Sequence, residues 1–360
     1  MGNHVPALSG VDSEISIAGV PIENQKEMEQ RSDITAGPRQ ELTEVRVKGK
    51  NRLLPSLKIR DRTVVFSNGW PRLASVKDED FIQGEPVDDP AAFVAAIKRC
   101  RYGADIFTFA QKFPDTRPKH AFRMEWDNVA AIPLTSYQHW LEEQITGNMR
   151  KILRRSSRRG ISVGQVDFTD EFVRGVVEIY NESPVRQNRS FWHYGKTFDT
   201  IKLETGTYLE RSVFLGAFFE GNLVGFIKLV FVDRIARLMQ IVSMISHSDK
   251  MPTNALIAKA VEISADRGCT HLTYGKYIYG KMGYTSLTEF KVRNGFERFL
   301  LPRYYLPLTV AGEMAIKLRM HRGIKELMPG KMMRLMASVR AGYIIRKSGR
   351  NGKRRDQECS

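Results

Sequence analysis

The sequence predicts an α+β fold in which mixed, mostly antiparallel sheets are flanked by helices. Three observations indicate this class. Amphipathic helical patterns alternate with strand-like runs, a hairpin turn occurs at Glu220-Gly221-Asn222, and a long helical segment stops at Gly268. The chain has 360 residues, of which 42% are hydrophobic, so it can form two modest domains or one large one around a buried core.

The amino-terminal part predicts a leader followed by a small α/β unit. Residues 1–44 are polar, contain scattered Gly and Pro, and lack apolar periodicity, which is typical of a disordered leader. Residues 45–147 predict the α/β unit. Its expected strands are residues 63–67, 104–111 and 127–134, and its expected helices are residues 89–100 and 136–145.

A strongly basic segment opens the next unit, residues 148–310. The stretch NMRKILRRSSRRG surrounds a thin apolar row of Met149, Ile152 and Leu153 with cations. One interpretation is a solvated helix face that bridges two domains, and the other is a face that binds phosphates. The six basic residues are Arg150, Lys151, Arg154, Arg155, Arg158 and Arg159.

The same unit then shows the clearest pattern in the chain. Glu220-Gly221-Asn222 joins the first two of three consecutive strands, because Gly and Asn accept the positive φ that a tight hairpin needs. Helix, hairpin, strand, helix, strand, helix and strand therefore follow in order. The expected segments are the strand 161–167, the helix 171–183, three strands within 213–245, the helix 254–268, the strand 269–275, the helix 286–294 and closing strands within 296–308.

This order resembles the GNAT superfamily of N-acyltransferases, in which a loop after a strand holds the acyl-CoA pyrophosphate through its backbone amides. More specifically, the stretches RKILRRSSRRGISVGQVD, GAFFEGNLVGF and EFKVRNGF resemble the FemAB-like acetyltransferase branch. That branch has two GNAT-like lobes in tandem. The resemblance covers about residues 45–308 and implies tandem acyl-CoA N-acyltransferase lobes, the first one truncated.

Two departures from the superfamily pattern are informative. The expected loop, HSDKMPT, contains no glycine, which argues against a standard pyrophosphate cradle. Four residues before Gly295, where many members place a tyrosine as general acid, this chain has Lys291. The FemAB-like branch carries lysine in that setting. Lys291 is then either a solvated surface charge or a fixed cation that stabilises the oxyanion during aminolysis.

The resemblance and the residue types together give a candidate site. The third strand of the second unit carries no carboxylate, so the base for the acceptor amine has to come from another element or from water. The candidate catalytic residues are Lys291, Glu289 and Tyr279. The candidate residues for binding the acyl donor are Ser243, His247, Asn254 and Phe290. The candidate residues for binding the acceptor are Trp192, His193, Tyr194 and Gln240.

The predicted function is transfer of an acyl group from an acyl thioester, such as acyl-CoA, to an amine on a small molecule or cell-envelope precursor. One alternative is a FemAB-like peptidyl transferase that uses aminoacyl-tRNA. Another is a catalytically silent binding module. We expect no bound cofactor and no metal, with acyl-CoA or aminoacyl-tRNA serving as co-substrate. The net charge of +16 is compatible with any polyanionic partner, tRNA included.

Cysteine content and the basic tail bear on location. The three cysteines have neither disulfide nor metal-ligand spacing, so a cytoplasmic protein is expected.

Residues 311–360 carry a charge of +9, from thirteen Lys and Arg against four Asp and Glu. Apolar residues recur at helical spacing between Glu326 and Lys347. This tail either docks as a helix on the catalytic unit or makes a peripheral contact with the inner face of a membrane.

Overall fold

A computed structural model describes residues 40–47, 50–79, 87–186, 189–279 and 284–322. Its strands are β1 Gln40–Val47, β2 Lys50–Ile59, β3 Arg62–Phe66, β4 Leu73–Val76, β5 Ile106–Ala110, β6 Met124–Pro133, β7 Ser162–Val166, β8 Val185–Arg186, β9 Arg189–Ser190, β10 Ser212–Phe219, β11 Asn222–Val232, β12 Ile235–Ser243, β13 His271–Thr273 and β14 Glu297–Pro307. Its α-helices are α1 Pro90–Arg99, α2 Tyr137–His139, α3 Gly147–Arg158, α4 Asp170–Asn181, α5 Phe198–Thr205, α6 Pro252–Asp266, α7 Ser286–Arg293 and α8 Val310–Lys317.

Twelve of these strands form one mixed sheet, so the predicted α+β class is confirmed. The strand order is β1-β2-β3-β4-β5-β14-β6-β13-β12-β11-β10-β7, and β8 pairs only with β9. All pairings in the large sheet are antiparallel except β4 with β5 and β12 with β13. Each parallel pair is connected by a helix, α1 in one case and α6 in the other, as parallel crossovers require.

The sheet consists of two halves with the same strand order on either side of a central pair, β6 and β14. We call β1 to β5 the amino half and β7 with β10 to β13 the carboxyl half. Counted outward from the central pair, the first strand pairing in each half is antiparallel, the second is parallel and the next three are antiparallel. The carboxyl half inserts α4, β8, β9 and α5 between its two outermost strands, whereas only residues 48 and 49 separate β1 from β2. The amino half therefore has no counterpart of this insertion.

The central pair crosses the predicted domain boundaries. Strand β14, predicted to belong to the second unit, pairs with β5 and β6 of the first. Strand β6 in turn pairs with β13. A boundary at residue 147 or 310 therefore does not divide the sheet. The predicted closing strands are one continuous strand, because the backbone of Pro302 stays in register opposite Trp126.

Two further sequence-based assignments differ from the structure. Residues 40–44, predicted as part of the leader, lie in β1, where pairing with β2 compensates for their polar composition. Residues 1–39 and 323–360 lie outside the described residues, and with them most of the predicted leader and tail. The predicted helix 136–145 forms as α2 followed by a π-helical turn over Trp140–Gln144. Trp140 packs in the core of the carboxyl half rather than in the amino half.

The hairpin turn is tighter than predicted. Glu220 and Gly221 have φ of 49° and 80°, and Asn222 already belongs to β11. A two-residue turn with positive φ at both positions matches the twist of the strands that it joins. Among the described residues, no helix has the length and hydrophobicity needed to cross a membrane. Nor do these residues include a cluster of His, Cys, Asp and Glu that could hold a metal ion.

Candidate active site

The site lies where β12 and β13 separate. These strands pair only from Ile235 to Arg237, although β12 continues to Ser243. After β13 the chain stays with β6 instead: the Tyr274 amide donates to the Ala130 carbonyl at 2.8 Å, and the Ala130 amide donates to the Gly275 carbonyl at 2.9 Å. The second part of β12 therefore has no strand partner on this side among the described residues. We call the place where the two strands diverge the opening.

Lys291 lies beside this opening and is fully buried. Its Nζ donates hydrogen bonds to the carbonyls of Tyr274, at 2.9 Å, and Lys276, at 2.5 Å. The ammonium also lies 4.5 Å from the centre of the Tyr274 ring and 5.0 Å from that of Tyr279. These contacts exclude a solvated surface charge. Burial lowers the pKa of Lys291 to about 8.

The local sequence explains why Lys291 turns inward. Helix α7 begins with a capping box formed by Thr285 and Thr288, which fixes the helix start. Two residues after its end at Arg293 comes Gly295, whose φ is +83° and whose missing Cβ would lie 3.0 Å from Trp140 Nε1. That indole donates to the Asn294 carbonyl at 3.0 Å. With both ends fixed, one helix face carrying Lys291 is directed at the loop after β13.

This loop is anchored to the central strands by side chains. The Ile278 amide donates to Asn128 Oδ1 at 2.7 Å, and Lys276 Nζ lies 3.1 Å from the Asp127 carboxylate. The guanidinium of Arg303, on β14, lies 3.4 Å from the Asp127 carboxylate and 2.9 Å from the Glu79 carboxylate, so it connects the two. Burial alone would raise the pKa of Asp127, but Lys276, the Asn128 amide and Arg303 hold it below its usual value. The loop that carries Tyr274 and Tyr279 is thus joined to both halves of the sheet.

Glu289 is not brought to Lys291. Its carboxylate forms an exposed ion pair with Arg293, one helical turn further along α7. Residues two apart on a helix point in different directions, so a buried Lys291 leaves Glu289 outside the opening. Of the three candidate catalytic residues, the structure groups Lys291 with Tyr279 only.

The candidate donor-binding residues divide into two groups. Ser243 Oγ lies 2.6 Å from Thr253 Oγ1, Asn254 Nδ2 donates to Asn294 Oδ1 at 3.3 Å, and Phe290 packs against the same core. These three surround the start of α6 and the end of α7. His247 lies apart from them, 5.4 Å from the Phe219 ring of the hairpin.

The loop before α6 has few backbone amides left for an anion. Glu182 Oε2 accepts from the Ile245 amide at 2.6 Å, and Oε1 accepts from the Ser246 amide at 2.8 Å. The loop continues as a 3₁₀ turn. Within it, the amides of Ser248, Lys250 and Met251 donate to carbonyls of the loop itself, and Pro252 has no amide hydrogen.

Three of the four candidate acceptor-binding residues stand together at the end of α4. His193 is buried against Tyr180, with ring centres 4.1 Å apart, while Trp192 and Tyr194 are exposed. Lys196 Nζ lies 4.1 Å from the Trp192 ring centre. Gln240 is on β12 instead, and its Oε1 is buried without a hydrogen-bond partner in the described residues. The structure does not join Gln240 to the aromatic group.

A second buried lysine was missed from the sequence. Lys228 lies opposite Gln240 in the β11–β12 register, and its Nζ donates to the carbonyls of Thr205, at 2.7 Å, and Thr207. Burial lowers its pKa to about 8 as well. The signal was a lysine in the middle of the apolar run VGFIKLVFV, where the two flanking residues, Ile227 and Leu229, are buried.

No known protein family and no curated protein matches the sequence. Among solved structures, the chain is similar to the C-terminal domain of a putative lysylphosphatidylglycerol synthetase from Agrobacterium fabrum, with 14% identity, 82% of this chain and 97% of that chain covered, and a TM-score of 0.49. It is also similar to FemX, with 11% identity, 79% of this chain and 91% of that chain covered, and a TM-score of 0.44. A tandem GNAT protein from the clavulanic acid biosynthesis pathway has 13% identity, coverage of 76% and 85%, and a TM-score of 0.42.

Proposed function

We propose that the protein is an N-acyltransferase that moves an acyl group from an activated ester or thioester to an amine on a small molecule or cell-envelope precursor. The observation that carries this proposal is the buried Lys291 ammonium at the opening between β12 and β13. A lysine that served only as surface charge would not be enclosed by two carbonyls and two tyrosine rings. A fixed cation in a dry site is suited to negative charge that develops during a reaction.

The chemistry assigned to the site is aminolysis. The acceptor nitrogen forms a bond to the acyl carbon, the carbonyl oxygen becomes an oxyanion, and the bond to the leaving sulfur or oxygen then breaks. Two of the three N–H groups of Lys291 bind carbonyls, and the third has no hydrogen-bond acceptor among the described residues. It donates to the oxyanion. The Tyr279 hydroxyl gives a proton to the leaving atom and is reprotonated by the proton that the amine loses.

The aromatic group at the end of α4 is assigned to the acceptor. Trp192 and Tyr194 are exposed, and His193 is buried against Tyr180 beside them. Such a surface suits the apolar part of an acceptor, while its amine reaches the opening. Gln240 contributes a buried carbonyl oxygen that lacks a donor among the described residues, which suits an N–H of the acceptor.

The identity of the donor has two candidates. Acyl-CoA is the donor implied by the GNAT resemblance, and Ser243, Asn254 and Phe290 are assigned to its thioester arm. A specific observation favours the second candidate, an aminoacyl-tRNA. The loop amides of Ile245, Ser246, Ser248, Lys250 and Met251 are bonded to Glu182 or to the loop itself, and a carboxylate at that position repels phosphate.

A thermal-shift and transfer experiment tests the proposal. The full chain is incubated with acetyl-CoA, a longer acyl-CoA or charged tRNA, and both the melting temperature and the loss of acyl donor are followed. Stabilisation by one donor together with amine-dependent consumption is the expected result. If no donor stabilises the protein and none is consumed, the chain is a binding module and the proposal is wrong.

A further inference from the structure

The short hairpin of β8 and β9 carries one largely buried cation, Arg186. Its side chain is 16% exposed, and burial lowers its pKa, a change that the Glu182 carboxylate opposes. A guanidinium that is removed from water to this extent has to be held by hydrogen-bond acceptors or by aromatic rings, because the loss of hydration is costly. The contacts of Arg186 therefore show which parts of the fold it joins.

Two of these contacts reach the end of β12 and the loop before α6. Arg186 Nη1 donates to the carbonyl of Ser243 at 2.5 Å, and Nη2 donates to Glu182 Oε2 at 3.2 Å. The same carboxylate accepts from the Ile245 amide at 2.6 Å and from the Ser246 amide at 2.8 Å. Arg186 thus holds both the last residue of the strand and the carboxylate that fixes the loop.

The guanidinium also lies over an aromatic ring. Its central carbon is 4.6 Å from the centre of the Phe191 ring. That ring centre lies 5.2 Å from the ring centre of His193, which in turn lies 3.7 Å from that of Trp192. The Phe191 amide donates to the Pro184 carbonyl at 2.8 Å, so the ring and the guanidinium are carried by the same hairpin. Phe191 therefore links Arg186 to the aromatic group that is assigned to the acceptor.

A cap on the end of α4 does not account for this set of contacts. Arg186 Nη2 donates to the Ile179 carbonyl at 2.7 Å, which is a bond that basic side chains commonly make at the end of a helix. The hydrogen bond to Ser243 and the contact with the Phe191 ring lie outside α4. A residue that only closed the helix would need neither of them.

We propose that Arg186 is a positioning residue that couples the aromatic group to the loop before α6, so that a ligand on one strengthens binding at the other. The inference rests on the proposed function, in which the aromatic group binds the acceptor and the end of β12 binds the donor. A ligand that packs on the aromatic group restricts the Phe191 ring and the guanidinium beneath it. The loop then loses less freedom when the second ligand binds. Because such coupling is reciprocal, either substrate strengthens the binding of the other by the same factor.

Hydrogen exchange in the full chain, without any ligand, tests the coupling. Mass spectrometry follows peptides that contain the Ile245 and Ser246 amides. Phe191→Leu removes the ring on the aromatic side, Arg186→Gln removes the guanidinium, and the double variant completes the cycle. Each variant is compared with the parent by urea unfolding, so that local opening of the loop is separated from global unfolding.

Phe198→Leu is the matched control. Phe198 is half-buried in the same core cluster as Phe191, but its ring lies near Arg174 and Lys202. If Arg186→Gln does not fold, Arg186→Lys takes its place in the cycle. Lysine keeps the positive charge but lacks the planar fork that reaches two carbonyls at once.

Phe191→Leu is expected to speed exchange of the two loop amides by at least about tenfold in the parent, because the guanidinium loses its support. In the Arg186→Gln background the same change should alter exchange by less than about twofold, since the connection is already broken. Phe198→Leu should lower the free energy of unfolding and leave loop exchange unchanged. Equal effects of Phe191→Leu in both backgrounds, or no effect in the parent, would overturn the proposal.

A kinetic arm separates this inference from the proposed function. Transfer is followed with acetyl-CoA or charged tRNA as donor and phenethylamine as acceptor. At saturating donor, Arg186→Lys is expected to raise KM for the amine at least about fivefold, with a smaller change in kcat. An unchanged KM would overturn the proposal. Coupled exchange without consumption of any donor would leave the coupling standing and reject the proposed function. Transfer in the parent with uncoupled exchange would reject only this inference.

Discussion

Lys291 Nζ donates a 2.5 Å hydrogen bond to the main-chain carbonyl of Lys276, while the side chain of Lys276 binds Asp127 on the central strand β6. One residue thus connects the candidate oxyanion donor to the middle of the sheet. The position of the Lys291 ammonium depends on the loop after β13, and the loop in turn depends on the ammonium. Substitutions at Lys291 should therefore affect both turnover and stability.

The first prediction concerns Lys291→Met. Turnover should fall roughly 100-fold, because one oxyanion donor is removed. Two buried carbonyls also lose their hydrogen-bond donor, so we expect the free energy of unfolding to fall by about 1–3 kcal/mol. Lys228→Met is the matched control, since Lys228 is equally buried and also caps two carbonyls. It should cost similar stability and leave turnover of the folded protein within a few-fold. If Lys291→Met and Lys228→Met reduced turnover equally, the catalytic role proposed for Lys291 would be wrong.

The second prediction is that stability and activity respond oppositely to alkaline pH. Burial lowers the pKa of Lys291 from 10.5 to about 8, so between these values the unfolded chain binds more protons than the folded one. Stability should therefore rise with pH in this window, by up to about 1.4 kcal/mol per unit for each such lysine. Turnover should fall as pH passes through about 8, because the cation is lost. Urea unfolding and a pH–rate profile measure the two trends, and Lys291→Met should abolish the second.

The third prediction concerns Glu182, which closes the loop before α6. Burial alone would raise its pKa, but hydrogen bonds from the Ser246 and Ile245 amides lower it below the usual value. The stabilisation is then complete above about pH 4.3 and is lost as the pH falls through the lower folded-state pKa. Glu182→Gln should cost about 1.5–3 kcal/mol at neutral pH and flatten the acid dependence of urea unfolding. The control Glu178→Gln, at an exposed position of the same helix, should neither lower stability nor change the acid dependence of urea unfolding.

The fourth prediction concerns the basic tail, residues 311–360. Its apolar residues at helical spacing, between Glu326 and Lys347, lie outside the described residues. We propose peripheral association with the inner face of a membrane, with about 1 kcal/mol contributed by each basic residue near the surface. The full chain should co-sediment with anionic vesicles, but not with neutral ones, and high salt should release it. A chain that ends after Leu308 would lack α8 as well, so truncation after Arg322 is the sharper variant. Undiminished binding of that variant would refute the role of the tail.

The sequence predicted elements best where local chemistry decides them. The hairpin at Glu220 and Gly221 follows from turn residues between two apolar runs, and α6 follows from periodicity. Strand β4 was missed because four residues carry too little pattern, and β1 because its composition is polar. The insertion of β14 between β5 and β6 was not predictable, since pairing between residues so distant in the chain leaves no local signal.

The candidate site was predicted in part for the same reason. Lys291 and Tyr279 come together because α7 and the loop after β13 are near in sequence. Glu289 was included because a carboxylate was needed, but helix geometry directs it outward. Glu182 gave no sequence signal as a ligand of the loop amides, because its contact with Ile245 joins elements more than sixty residues apart.

The place of β14 has a consequence for how the chain is made. Until residues 297–307 leave the ribosome, β5 and β6 each lack a neighbour, and two unpaired strand edges are exposed. At a synthesis rate of about 5–20 residues per second, the interval between β6 and β14 lasts roughly ten to thirty seconds. During that time the nascent amino half is open to pairing with other chains. Expression yield should then depend on holdase chaperones that bind nascent chains, and a fragment that ends before residue 297 should aggregate rather than fold.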